Sequence, residues 1–109
     1  MADASIGRLE LAVLLSVARL GDDAYGASIR RDLCARLERD YSVGAVYTTL
    51  QRLEDKRLLV SRMGEPTPER GGRARRNYRL TAGGREALDH ARDTHDALWA
   101  GVRLATRSS

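Results

Sequence analysis

The sequence predicts a mainly α domain of the α+β class: three helices, a two-stranded hairpin and a long last helix. Three observations lead there. Apolar residues recur at helical spacing in four separate segments. Between the third and fourth of these, two extended runs flank a Pro/Gly loop, the pattern of a hairpin. Aromatic side chains are few, four Tyr, one Trp and no Phe in 109 residues, so the core must come from Leu, Val, Ala and Ile. A chain of this length holds one modest core.

The first helix is expected over Gly7–Leu20. Leu9, Val13, Ser16 and Leu20 share one face, and Leu11, Leu14 and Leu15 occupy the others. A helix apolar on more than one side needs a second partner surface, either the last helix or another subunit. Gly21, Asp22 and Asp23 mark a stop and a new start, the aspartates favouring a helix N-terminus. The second helix is expected from Ala24 to Arg39, with Tyr25, Ile29, Leu33 and Leu37 as its inward stripe. Cys34 borders that stripe and reads as a small buried thiol. It is the only cysteine, which excludes an internal disulfide and suits a reducing cytosol.

Ser42 is the expected N-cap of a third helix, Val43 to about Lys56, whose inward face is Val46, Leu50 and Leu53. Gly44, Thr48, Gln51, Arg52 and Asp55 lie opposite, with Tyr47 on the flank. A face that is small and able to hydrogen-bond near a helix start suits entry into a DNA major groove. A solvated surface helix presents the same pattern. Leu58–Met63 and Arg73–Leu80 then form the hairpin. On its second strand Tyr78 and Leu80 face the core, and the outer part is arginine on both faces. Thr81 caps the last helix, expected over Ala82 to about Ala105, with Leu88, Ala91, His95, Leu98, Trp99 and Val102 along one broad side. Gly83 and Gly84 weaken its first turn by roughly 1 kcal/mol each and suggest close approach to a neighbouring helix. The terminal residues 106–109 are expected to fray.

Charge is strongly localised. Residues 52–79 carry nine Lys and Arg against four acids, whereas residues 1–51 carry six against seven and residues 80–109 four against four. A basic patch running from a helix into an arginine-rich hairpin is the footprint of a polyanion binder, nucleic acid foremost. Phosphate or minor-groove contact explains arginines with nothing apolar to bury.

Helices, hairpin and last helix together describe a winged helix-turn-helix with a C-terminal helical extension. Residues 1–80 are expected to form the DNA-binding unit and 81–109 a dimerisation helix. The segments Tyr25-Gly26, Ser42-Val43-Gly44-Ala45-Val46-Tyr47-Thr48-Thr49-Leu50-Gln51-Arg52-Leu53-Glu54, Arg75-Arg76-Asn77-Tyr78 and Tyr78-Arg79-Leu80-Thr81-Ala82-Gly83-Gly84 resemble the PadR family of bacterial transcriptional regulators, over about residues 9 to 100. The resemblance implies a homodimeric repressor of the short subclass, with a single C-terminal helix, bound to pseudo-palindromic double-stranded DNA. Many such proteins release DNA on binding a small molecule. It also implies that Ser42 and Tyr47 contact phosphate, Thr48 a base edge or phosphate, and the wing arginines the backbone. The expected DNA-binding set is thus Ser42, Gly44, Tyr47, Thr48, Gln51, Arg52, Arg62, Arg73, Arg75 and Arg76. Two positions depart from the family pattern: Thr48 stands where Pro is common, and Arg57 where Gly is common. If Arg57 adopts the left-handed conformation at the helix end, it costs about 1 kcal/mol.

Leu11, Ala12, Leu15, Leu98, Trp99 and Val102 are the expected dimer or effector surface. Trp99 reads either as the aromatic wall of a cavity for a small hydrophobic effector or as a packing anchor against the partner's first helix. His90 and His95 are five apart, a spacing that does not place both imidazoles on one helical face, so no metal site is expected and His95 should be partly buried. No nucleophile elbow or P-loop is present, and neither catalysis nor a cofactor is expected. The start of the chain lacks a basic and an apolar region of signal-peptide type, and its longest apolar run, Leu11–Leu15, is far below the ~20 residues of a membrane span. A soluble cytoplasmic protein is expected. Two other functions fit the same fold: a winged helix used as a protein-interaction module, which the basic hairpin disfavours, and an architectural DNA binder insensitive to ligands.

Overall fold

The computed structural model describes residues 6–64 and 75–105. Helices α1 (Arg8–Leu20), α2 (Gly26–Leu37) and α3 (Val43–Asp55) precede strands β1 (Leu59–Met63) and β2 (Arg76–Leu80), and α4 (Ala82–Trp99) follows. A 3-10 turn, Gly21–Asp23, joins α1 to α2. The strands pair antiparallel with Leu59 opposite Leu80, Ser61 opposite Tyr78 and Met63 opposite Arg76. This is the architecture expected from the sequence: three helices, a two-stranded wing and a last helix.

One core ties the elements together. Val13, Leu14 and Val17 of α1, Ile29 and Leu33 of α2, Val46, Leu50 and Leu53 of α3, Leu59 of β1 and Tyr78 of β2 are all buried. Burying each such side chain fully contributes roughly 1.5–3 kcal/mol relative to exposure. Ser16 is buried in the same layer and donates to Asp32 Oδ2 at 2.8 Å, which satisfies its hydroxyl. The Arg19 guanidinium also reaches Asp32, at 2.6 Å, locking α1 to α2.

The caps lie where local chemistry puts them. Ser42 Oγ accepts the Ala45 N–H at 3.0 Å and starts α3. Thr81 Oγ1 accepts the Gly84 N–H at 3.0 Å and donates to the Arg57 carbonyl at 2.7 Å, joining the start of α4 to the end of α3. That end closes with paired bonds, Arg57 N–H to Glu54 O and Leu58 N–H to Leu53 O, both 2.9 Å. The pair is a Schellman motif, and it holds Arg57 at φ +63°.

Several expectations are corrected. The second helix starts at Gly26, because Ala24 is buried and its carbonyl accepts the Tyr78 N–H at 2.9 Å, which holds residues 24–25 extended beside β2. It ends at Leu37, where Glu38 takes φ +49°, and Leu37 is half exposed rather than part of the core stripe. Cys34 is only half-buried, its Sγ accepting the Tyr41 N–H at 3.4 Å. The last helix stops at Trp99, short of Ala105: Ala100 leaves helical dihedrals and Gly101 adopts φ +79°. The close neighbour of Gly84 is the Leu58 carbonyl and not a helix; a Cβ there would overlap it. The first part of β2 expected at Arg73, the loop 65–72 and the tail 106–109 lie outside the described residues.

Candidate nucleic-acid interface

The polar face of α3 is open. Gly44, Thr48, Gln51 and Arg52 are exposed, and Ser42 precedes them at the cap. Gly44 has nothing within 4 Å of where a Cβ would stand. Thr48 makes no side-chain hydrogen bond among the described residues. Gln51 Nε2 donates to Asp55 Oδ1 at 3.0 Å, one turn along the same face.

Tyr47 turns away from this face toward the start of α2. Its phenol lies directly on Gly26, where any Cβ would collide with the ring, so the Tyr25-Gly26 pair is a steric seat for Tyr47. Tyr47 nevertheless stays half exposed. Together with Tyr25, Ala27, Arg75, Arg76 and Tyr78 these two residues line an open cleft of about 220 Å³ between α2, α3 and the wing. Into it the Arg75 guanidinium stacks 4.7 Å above the Tyr25 ring.

The wing base is stitched to the rest of the domain. Asn77 Nδ2 donates to the Asp22 carbonyl at 2.8 Å, and Asn77 bridges Tyr25. On the face toward α3, Arg76 donates to Ser61 Oγ at 3.0 Å, and Ser61 donates to Glu54 Oε2 at 2.7 Å. The roles of Tyr25, Glu54, Ser61 and Asn77 do not emerge from periodicity, because each depends on a partner brought in by tertiary packing. The alternation of β1, with Leu59 and Ser61 inward, is the one sequence signal that touches them.

The basic residues divide by partner. Lys56 is paired with Glu10, at 2.9 and 3.0 Å. Burial raises the Glu10 carboxyl, but the Lys56 and Gly7 hydrogen bonds outweigh it and leave Glu10 below the usual carboxylate range. Arg79 approaches exposed Asp22 at 3.5 Å. Arg52, Arg62 and Arg75 form no ion pair among the described residues. Arg73 lies outside them. Burial, and next the charge of Glu54, push the Tyr78 phenol above its ordinary value, so it stays neutral.

The second surface is apolar. Only Gly84 and Ala87 of α4 are buried, and every residue from Arg92 to its end is exposed. Two shallow grooves run where α4 crosses α1. One, of about 430 Å³, is lined by Leu11, Leu15, Ala18, Leu88 and Ala91 with Arg85, Asp89, Arg92 and His95. The other, of about 290 Å³, is lined by Ile6, Leu11, Ala87, Ala91 and Leu98 with His90, Thr94 and His95. Of the residues expected at this surface, Leu11, Leu15 and Leu98 line the grooves. Ala12 packs against the core. Trp99 is half exposed, its ring 6.2 Å from that of His95, and Val102 stands beyond the helix end. His95 is exposed, contrary to expectation, standing at the edge of both grooves. Among the described residues no group of three or more His, Cys, Asp or Glu could hold a metal ion, and no helix is long and apolar enough to cross a membrane.

Comparison with known proteins agrees with this geometry. The chain is similar to a PadR-like transcription factor from Bacteroides fragilis, 27% identical, with 83% of this chain and 82% of that one covered and a TM-score of 0.68. It is also similar to a PadR family transcriptional regulator from Eggerthella lenta, 28% identical over 85% and 82% of the two chains, with a TM-score of 0.64. A PadR-like regulator from Bacillus cereus shares the fold at 21% identity, with 84% of each chain covered and a TM-score of 0.70. No curated protein matches. Residues 14–90 match the family model described as the transcriptional regulator PadR-like family, and the chain belongs to that family.

Proposed function

We propose that this regulator acts as a homodimeric repressor on pseudo-palindromic double-stranded DNA, with α3 in the major groove and the wing on the adjacent backbone. The observation that carries the reading is the continuity of α3's exposed polar face with the cleft holding Tyr47 and Arg75. A groove-reading face and a phosphate-facing cationic rim lie side by side. Ser42 Oγ uses its lone pair on Ala45 and keeps its O–H to donate to a phosphate. The Tyr47 phenol and the Arg62, Arg73 and Arg75 guanidinium groups serve the backbone. Thr48, Gln51 and Arg52 face base edges, and Gly44 lets the helix backbone come close.

Residues 81–109 serve dimerisation in this reading. Leu11, Leu15, Leu98, Trp99 and Val102 offer an apolar surface that a second copy covers, with α4 crossing the partner. The grooves beside Leu11 then close into a site for a small hydrophobic effector that releases DNA. The protein works in the cytoplasm, without a cofactor and without catalysis.

Selection of duplexes from a random pool by the full chain tests this. Recovered sequences should be two-fold symmetric, with half-sites separated by about 34 Å, one helical turn, or a multiple of it. Recovery of asymmetric sites, or no enrichment, contradicts it.

A further inference from the structure

The wing and the reading helix are joined by one polar chain that crosses three elements. Glu54, half-buried in the last turn of α3, accepts the Ser61 hydroxyl at 2.7 Å, and that hydroxyl accepts from Arg76 at 3.0 Å. Ser61 stands opposite Tyr78, so Arg76 is its diagonal neighbour on the same sheet face, within reach of a long side chain. Along this face the pairs run from Leu59–Leu80, through Ser61–Tyr78, to Met63–Arg76. Leu59 and Tyr78 are buried, and Met63 and Arg76 are exposed. The polar chain therefore sits where the buried pairs of the wing base give way to its exposed pairs. Only a hydroxyl can donate to a carboxylate and accept from a guanidinium at one atom, so Ser61 is the link that the geometry requires.

We infer that Arg76 is a positioning residue which, through Ser61 and Glu54, sets the angle of the wing against α3, and that it is not a phosphate ligand. One of its N–H groups is committed to Ser61, whereas Arg62, on the outer face opposite Asn77, and Arg75, over Tyr25, remain for phosphate. This rests on the DNA-binding reading above, and it replaces the phosphate contact expected of Arg76 from the sequence. Sequence discrimination then depends on Ser61, a residue that touches no DNA, because the wing fixes how α3 enters the groove.

The test compares the full chain with Ser61→Ala, Ser61→Thr, Arg76→Gln and the Ser61→Ala/Arg76→Gln double variant. Binding is measured on the duplex that wild type enriches and on a scrambled duplex, across a salt series. Loss of a hydrogen bond worth about 1 kcal/mol predicts roughly fivefold weaker binding to the enriched duplex for Ser61→Ala and for Arg76→Gln. The double variant should be no weaker than the weaker single one, and Ser61→Thr should restore binding. The salt slope should stay at the wild-type value in every variant. A slope reduced by about 0.9 in Arg76→Gln, the signature of one lost phosphate contact, overturns the inference. So does wild-type binding by Ser61→Ala.

Amide hydrogen exchange across β1 and β2 gives a readout independent of DNA. Faster exchange in both Ser61→Ala and Arg76→Gln supports the positioning role, and unchanged exchange overturns it. If wild type enriches no duplex, the DNA-binding reading fails, while exchange still decides whether Arg76 positions the wing.

Discussion

Single residues carry opposite consequences depending on what surrounds them. Gly26 and Gly44 both sit near helix starts, but a Cβ at Gly26 would strike the Tyr47 phenol, whereas one at Gly44 meets open space. Gly26→Ala should therefore displace Tyr47 or strain α2 and cost about 1–3 kcal/mol in chemical denaturation. Gly44→Ala should leave the fold as stable or up to about 1 kcal/mol more stable, yet weaken DNA binding if the helix backbone approaches the groove closely. Arg57, held at φ +63°, is the converse case: Arg57→Gly should stabilise the domain by about 1 kcal/mol, read as a raised denaturation midpoint. At Asp32, the Arg19 hydrogen bond leads in holding the carboxyl below the usual carboxylate range, with the Ser16 and Arg36 hydrogen bonds also lowering it against burial. A depressed carboxylate stabilises the fold above its unfolded value of about 3.9, and that contribution disappears as pH falls through the folded value. Denaturation between pH 6 and 3 should show the stability gap between wild type and Asp32→Asn shrinking as acid is added.

At the scale of elements, what is legible in the sequence is what neighbouring residues decide. The Ser42 and Thr81 caps and the inward face Val46, Leu50 and Leu53 are all fixed within a few residues of themselves, whereas the left-handed turn at Arg57 was raised only by the family pattern. The end of α4 was not legible, because its amphipathic spacing continues through Val102 while Gly101 breaks the helix. The exposure of His95 depends on how α4 lies across α1, which no local pattern reveals. Of the candidate site, the polar face of α3 is plain from periodicity. The Tyr47 seat on Gly26 and the Glu54–Ser61–Arg76 chain require the wing register and the packing of α2 against α3. Thr48 and Arg75 divide reading from holding: Thr48→Ala should alter which duplexes are enriched. Arg75→Ala should weaken all duplexes alike and reduce the salt slope by about 0.9.

The whole molecule is extended for its size. Its Cα radius of gyration is 16.3 Å, against about 13 Å for a compact chain of this length, and its principal extents are 55 × 43 × 22 Å. The cause lies partly in α4, whose second half is little covered by the described residues, leaving Leu98 74% and Trp99 51% exposed. In the proposed dimer a second copy covers them. Because Leu98 is mostly exposed in one copy, Leu98→Glu should fold normally and weaken self-association at least about tenfold, seen as a halved mass in sedimentation. A wild-type chain that stays monomeric would contradict two-fold binding to DNA.

Fluorescence anisotropy of the full chain on its enriched duplex and on a scrambled one, across a salt series, decides whether this regulator reads a specific DNA site. Binding should be at least about 1,000-fold tighter to the enriched duplex and weaken steeply as salt rises. Equal affinity for both duplexes, or binding to neither, would contradict it.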